Sequence, residues 1–408
     1  MSEQPERLRV ALLAASLYQG GAEKQLLYMA RALVERSVEV RVYSLTQGQH
    51  YEPALRDLGL DPIFIGRYGN PLVRALSLAR HVRQFKAHIL QTSNFFAIPH
   101  VAVAGRLTGT ISLGALRNDT DFEVDGLGKW GGSLLRLPTA LIANSHAGRK
   151  NAMARGVAAE RVHVLPNVID LEAFDVGHAL EPANWTEADR PVFTTVCRLV
   201  KQKRLERFLA ALQLARQQNP SVQGMIVGDG PERETLEAEA KERGLLPDGV
   251  RFVGRRDDVP AVLNKADGLI VCSDHEGTPN VVMEAMAARL PVITTPAGDS
   301  SHVALDGETG FVVPFEDAQA MAERMCRLAD APELRRQLGE SGRVRIEKHY
   351  GFDTLADRML NIYRDVAEQR GKTEVLRVID QERFPTNRAV VAASGAGLVS
   401  PGAEAECR

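Results

Sequence analysis

The stretch Cys272–Thr295, CSDHEGTPNVVMEAMAARLPVITT, reads as a strand end, a polar turn, a helix and a second strand. Thr278 suits the N-cap of that helix, and Pro279 suits its first position, where no N–H is needed. A helix N-terminus beside a strand end makes an anion site, from its dipole and its unpaired N–H groups. Glu276 lies in the turn. Glu284 lies inside the helix among Val281, Val282, Met283, Ala285, Met286 and Ala287. A carboxylate in such company is costly to bury without partners. Paired hydroxyls are suitable partners, because one carboxylate accepts from two donors at once. An arbitrary E-x7-E pair is usually one loop residue and one exposed helix residue. The strand–turn–helix setting favours a shared site.

Outward from this stretch, short apolar runs alternate with helical patterns, which predicts parallel sheets covered by helices. In the first half the expected strands are Leu8–Leu13, Val38–Ser44, His88–Thr92, Ile111–Leu116 and Ala140–Asn144. A helix from about Ala22 to Glu35 carries Leu26, Leu27, Met29, Ala30, Leu33 and Val34 at the 3.6-residue period. A second alternation gives strands Val192–Cys197, Gln223–Val227, Val250–Val253, Gly268–Cys272 and Val292–Thr295. The polar, Gly- and Pro-broken run Asp175–Pro191 reads as a connection. The expected organisation is a first domain over 1–175, a linker over 176–190 and a second domain over 191–350. A helix over 351–370 returns to the first domain, and a disordered tail covers 371–408. Ligands in such sheets bind beyond the carboxyl ends of the strands.

The 408 residues exceed one ordinary core and suit two domains. Apolar residues at 44% with charged residues at 25% exclude a disordered or a membrane-embedded chain. Cys197, Cys272, Cys326 and Cys407 form no C-x-x-C pair. They read as thiols of a reducing compartment, with no zinc site. Arg7 and Arg9 before the run Val10–Leu17 resemble a short signal peptide. The run is short and no A-x-A site follows, so a first strand is the better reading. No run reaches the length of a bilayer span, and a cytoplasmic protein is expected. Residues 1–170 carry 20 Lys+Arg against 14 Asp+Glu, or +6; the remainder carries 30 against 38, or −8. A basic first half suits an anionic acceptor or a lipid surface. The helix over Leu72–Phe85 sets Arg74, Arg80 and Arg83 beside an apolar stripe, which reads first as the solvated basic face of an ordinary helix and also fits peripheral contact with an anionic membrane at its inner face. Nucleic acid is not an expected partner.

Two further constellations sit where the strand-end rule points. In CRLVKQK, Arg198 lies just past a strand end and Lys203 follows before a helix, so both could neutralise an anion. Lys201, Arg204 and Arg207 read as an ordinary basic helix start. Gly20-Gly21 separates the first strand from the first helix and lets backbone approach a phosphate. Gly228-Asp229-Gly230 lacks the third glycine of a dinucleotide fingerprint, since position 233 is Arg.

Taken in order, GGAEKQL at Gly20, ANS at Ala143, PNVID at Pro166, CRLVKQK at Cys197, VGDGPERETLE at Val227, RFVGRRDDVP at Arg251 and E-x7-E from Glu276 resemble the retaining GT-B glycosyltransferases of family 4, the group 1 glycosyltransferases. The resemblance covers roughly residues 8–370. It implies two Rossmann-like domains facing across a cleft. It also implies transfer of a sugar from a UDP- or GDP-type nucleotide sugar to a glycan, lipid-linked or small-molecule acceptor, without metal or other cofactor. Arg198 and Lys203 would bind the donor diphosphate and offset charge on the leaving oxygen, with Glu276 beside the reacting sugar. Glu284 would hold the ribose. Gly277, Thr278 and Asn280 would hold the donor sugar, Gly20 and Gly21 would line the phosphate, and Arg255 would lie near the nucleobase.

Many members carry a histidine after the strand that corresponds to His88–Thr92. Here Thr92-Ser93-Asn94 stands there, which makes Asn94 the candidate contact and puts His100 in a helix. Val168 in PNVID replaces a frequent glycine. Asp119-Thr120-Asp121 matches the metal-binding D-x-D of another transferase class, a pattern frequent by chance. A nucleotide-sugar epimerase of similar architecture and a non-catalytic nucleotide-sugar binder remain as other readings.

Overall fold

The computed structural model describes residues 6–117, 124, 131–177 and 190–381. Asp119–Asp121, the run 178–189 and the residues from 382 on, with Cys407, lie outside them. The expectation of a disordered tail over 371–408 is corrected at its start: Thr373–Gln381 forms a helix whose Val375, Val378 and Ile379 are buried in the first unit's core. The chain divides into two compact units. One comprises Met1–Val168 with Phe352–Arg408, the other Ile169–Gly351.

The first unit holds a seven-stranded parallel sheet: β1 Arg9–Ala14, β2 Glu39–Ser44, β3 Ile63–Phe64, β4 Ile89–Thr92, β5 Ile111–Leu116, β6 Ala140–Ala143 and β7 Val162–Val164. Its order is β3-β2-β1-β4-β5-β6-β7. Strand β1 is buried on both faces, as a central parallel strand must be, so its sequence RVALLA shows no polar alternation. Its residues still alternate between cores. Val10, Leu12 and Ala14 pack with Leu26, Met29 and Leu33 of helix Gly21–Glu35. Ala11 and Leu13 pack with Ala79 and Val82 of helix Pro71–Phe85 and with Val101 and Ala104 of helix Ile98–Thr108. Leu355, Met359, Tyr363 and Val366 of helix Leu355–Gln369 complete the first of these cores.

The second unit holds six parallel strands: β8 Val192–Val196, β9 Gln223–Val227, β10 Val250–Gly254, β11 Gly268–Val271, β12 Val292–Thr294 and β13 Gly310–Val312, in the order β10-β9-β8-β11-β12-β13. Every strand expected from the sequence is present, within a residue at each end. The expectation missed β3, β7 and β13, which are two or three residues long and too short to leave an apolar run.

Both sheets reverse direction once. In the first the chain works outward from β1 to β3 and then starts again at β4; in the second the same break falls between β8 and β11. At such a break the loops diverge to opposite faces and leave a space beyond the strand ends. Deep in the first unit the Tyr363 hydroxyl donates to Gln91 Oε1 at 2.7 Å, both residues being fully buried. Burial pushes the Tyr363 pKa well above the ordinary tyrosine value. Tyr363→Phe leaves the Gln91 oxygen unpaired and should cost about 1–2 kcal/mol in urea unfolding. Unchanged stability would mean that water or a rotated Gln91 satisfies that oxygen.

Candidate active site

The carboxyl ends of β8 and β11 bring the two sequence-predicted clusters together. After β8 the chain passes Cys197 and Arg198 and enters a short 3-10 turn, Lys201–Lys203. After β11 it runs through Asp274–Thr278 and enters the helix Asn280–Ala287. Lys203 Nζ lies 2.5 Å from Glu276 Oε1, with side chains only 22% and 11% exposed. Burial works against the Lys203 ammonium. Attraction to Glu276 outweighs it and holds the lysine pKa above its ordinary value.

The two loops are also laced through their backbones. Gln202 Nε2 donates to the His275 carbonyl at 2.6 Å, and the Asp274 N–H donates to the Gln202 carbonyl at 3.1 Å. Cys272 Sγ donates to the carbonyls of Lys203 and Arg204 at 3.3 and 3.1 Å. Arg207, expected to be an ordinary solvated residue, is buried. It donates to the Cys272 carbonyl at 3.0 Å, lies 2.7 Å from Asp274 and pairs with Glu316. Arg204 joins the same cluster at 3.2 Å from Asp274. Charge alone hid this role. The available signal was that Arg207 sits beside Phe208 and Leu209, on the face that turns inward.

Two glycines make room for these loops. Gly298 has φ +55°, and a Cβ there would fall 2.1 Å from the Glu276 carbonyl oxygen. Gly228 has φ +131°, and a Cβ there would fall 1.8 Å from the Cys197 carbonyl oxygen. The run Gly228-Asp229-Gly230 therefore serves as a bed for the Arg198 segment. The N–H groups of Cys197 and Leu199 donate to the carbonyls of Val227 and Asp229, both at 3.0 Å.

One local expectation is corrected. The helix starts at Asn280, Pro279 occupies the N-cap with φ −74° and ψ 111°, and no side chain caps it. Thr278 precedes a proline, which favours extended backbone, and so it lies buried in the turn and not at the cap. Asn280 and Glu284 are four residues apart on one face of the helix. Both are half-buried, so Glu284 is neither a solvated residue nor a core residue. Gly277 is buried beside Glu276, and Arg198 is exposed. Arg255 follows β10, two strands from β8, roughly 10 Å away at ordinary strand spacing.

In the first unit the other predicted residues also stand at the sheet's break. Gly20 is the N-cap of helix Gly21–Glu35, in extended backbone that any residue adopts. Asn94 follows β4, and its Oδ1 accepts from the Ala15 N–H at 3.2 Å and from Ser93 Oγ at 2.7 Å, tying the ends of β1 and β4 together. His100 lies in the helix Ile98–Thr108, buried, with burial and the charge of Arg74 pressing its pKa down. Among the described residues Glu6, His88 and Glu374 bring possible metal-ligand atoms within 4.8 Å of one another, but Arg9 Nη2 stands 3.0 Å from His88 Nε2 and places a positive charge there. No helix of the described residues is long and apolar enough to cross a membrane.

Comparison with known proteins fits this geometry. By fold the chain is similar to the Anabaena protein HepE, solved in complex with UDP and glucose, with a TM-score of 0.76 at 19% identity over 87% of this chain and 99% of that one. Two doubly wound parallel-sheet units with such neighbours define the GT-B architecture. Residues 19–173 match the family described as Glycosyltransferase Family 4, and residues 180–345 match Glycosyl transferases group 1. The chain belongs to this family, the group 1 glycosyltransferases of family 4. It is 29% identical to the alpha-D-kanosaminyltransferase of Streptomyces kanamyceticus over 51% of this chain and 55% of that protein. It is 32% identical to the lipopolysaccharide core biosynthesis glycosyltransferase LpsD of Rhizobium meliloti over 45% and 52%. The chain thus spans about half the length of these relatives.

Removing one partner of a buried ion pair strands the other. Lys203→Met should therefore lower unfolding free energy by on the order of 3 kcal/mol, and Lys203→Met/Glu276→Gln by clearly less. Equal losses in single and double variants would mean that the pair is not coupled. Because the folded pKa of Lys203 is raised, its contribution is fully present below about pH 10.4 and fades as pH climbs through the folded value.

Proposed function

We propose that the chain is a retaining, metal-independent glycosyltransferase that takes a sugar from a UDP- or GDP-type nucleotide sugar and passes it to a glycan, lipid-linked or small-molecule acceptor. The observation that carries this reading is the Lys203–Glu276 pair at the β8/β11 break, with Arg198 on the same strand-end loop. A diphosphate arriving there offers Lys203 a stronger anionic partner than one carboxylate. Glu276, released from the ammonium, is then free to accept from donor-sugar hydroxyls. Arg198 and Lys203 offset the charge that grows on the leaving phosphate oxygen, the service a metal provides in other transferases. Gly277, Thr278 and Asn280 hold the sugar, and Glu284, one turn past Asn280, takes the ribose hydroxyls. Arg255, in the loop after β10, takes the base. The acceptor oxygen bonds to the anomeric carbon on the face from which the diphosphate departs, and the departing phosphate oxygen takes the acceptor proton. Configuration is thereby kept. The UDP complex of HepE supports a uridine donor.

Gly20, Gly21 and Asn94, at the break of the first unit's own sheet, suit a phosphate or a sugar hydroxyl there. A lipid-linked acceptor is supported by the helix Pro71–Phe85, where Leu72, Val73 and Leu76 are exposed beside the exposed Arg80 and Arg83. Leu72→Asp/Leu76→Asp should end sedimentation with anionic vesicles, and unchanged sedimentation would remove the membrane from this reading.

Arg198→Ala and Lys203→Ala should each lower turnover by roughly two to three orders of magnitude, with EDTA without effect and the product anomer matching the donor by NMR coupling. Turnover within about threefold of the parent in both variants would overturn the leaving-group role. Loss in EDTA restored by Mn²⁺ would overturn metal independence.

A further inference from the structure

The amino end of the first unit's sheet carries a cavity of about 390 Å³ whose lining includes Arg106, Arg136, Arg161, Arg370 and Lys372 and no carboxylate. It forms where the helix Ile98–Thr108 ends, where β5 and β6 begin, and where the chain leaves the helix Leu355–Gln369. Among the described residues none of these five cations is ion-paired.

Neutral carbonyls hold three of them in place. Arg161 donates to the carbonyls of Arg136 and Pro138 through Nη2 and to that of Thr139 through Nε, at 3.1, 2.5 and 3.2 Å. Arg370 Nη2 shares the Thr139 carbonyl at 3.1 Å, and Arg136 Nη2 takes the Arg155 carbonyl at 2.9 Å. Carbonyls orient a guanidinium and leave its charge standing. The charges press on one another: Arg161 has its pKa lowered by burial, then by Arg370 and Arg106, with Glu160 as the opposing neighbour. The side chains of Arg106 and Lys372 hold no hydrogen bond or ion pair among the described residues. Cations often serve helix C-termini. That accounts for Arg106 and Arg370, at the ends of their helices, and not for the convergence of three more.

We infer that this cavity is a second anion site, made wholly of first-unit residues, for a small molecule or headgroup bearing two or more phosphate groups. Guanidinium forks match phosphate oxygens in pairs, and several phosphates are needed to answer five charges. The volume falls in the range of small-ligand pockets, roughly 300–1,000 Å³. A phosphate bridging Arg370 and Lys372 to Arg136 and Arg161 would pin the end of the helix Leu355–Gln369 to β5 and β6.

The test is calorimetric titration of the full chain with inorganic pyrophosphate at low salt, in the parent, in Arg198→Glu and in Arg106→Glu/Lys372→Glu. Arg198→Glu removes a cation from the other anion site. Arg106 and Lys372 are exposed and unbonded, so that variant should fold, as circular dichroism would verify. Binding should survive in Arg198→Glu, weaken at least about tenfold in the double variant, and return in Arg106→Lys/Lys372→Arg. Sedimentation with phosphatidylcholine vesicles, with and without cardiolipin, whose headgroup carries two phosphates, separates the sources. Pyrophosphate binding without vesicle binding assigns a free phosphorylated molecule. Vesicle binding that falls in Arg106→Glu/Lys372→Glu, without pyrophosphate binding, assigns a lipid headgroup. The site is refuted if the double variant matches the parent within about twofold in both assays, or if Arg198→Glu alone removes all binding.

Discussion

A lysine ammonium and a glutamate carboxylate largely withdrawn from water at 2.5 Å impose the strictest condition in the second unit. Each charge loses hydration, and only close mutual contact repays it. The loops after β8 and β11 must therefore arrive together. Their backbones are cross-bonded through Gln202, Cys272 and Asp274, and Arg207 braces both from below. Gly228 and Gly298 leave the carbonyls of Cys197 and Glu276 space that any Cβ would fill. A buried ion pair is weak support for stability alone, since apolar residues of equal volume often do better. Under the proposed function its place at the sheet's break has a reason: a bound anion uses the lysine, and the glutamate holds that lysine ready.

Much of this was legible in the amino-acid order. The strand β1 could be read from RVALLA because a two-sided core demands an unbroken apolar run. In the E-x7-E stretch the strand, turn and helix could be read in order, and the carboxylate in the apolar helix proves half-buried. Legibility failed where the deciding contact is far away in the chain. Arg207 looks like any helix arginine, and only Asp274 and Glu316, brought in by the fold, turn it into a buried brace. Thr278 had the composition of a cap, but the proline after it held the backbone extended and moved the helix start to Asn280. Gly228-Asp229-Gly230 was legible as the absence of a fingerprint, while its service to Arg198 depends on a neighbouring strand the local sequence does not mention. The edge strands β3, β7 and β13 failed for want of length.

The strand-end rule also separates the two basic regions of the molecule. Arg198 and Lys203 stand at carboxyl ends, where a doubly wound sheet opens and ligands are expected. Arg106, Arg136, Arg161, Arg370 and Lys372 stand at the amino end of the first sheet, where no such opening is called for. The surplus of +6 in the first 170 residues therefore does not all lie at the carboxyl ends of the strands. Part of it converges at the opposite end, joined by two cations from the far end of the described chain. Like charges gathered from three helix and strand ends repel, and a fold keeps such a cost most readily when a counter-charge relieves it. The helix Leu355–Gln369 gives that end its leverage. The same helix supplies Tyr363 and Val366 to the core beneath β1, so a ligand that fixes its last turn also steadies the strand that leads, through the loop after Ala14, to Gly20.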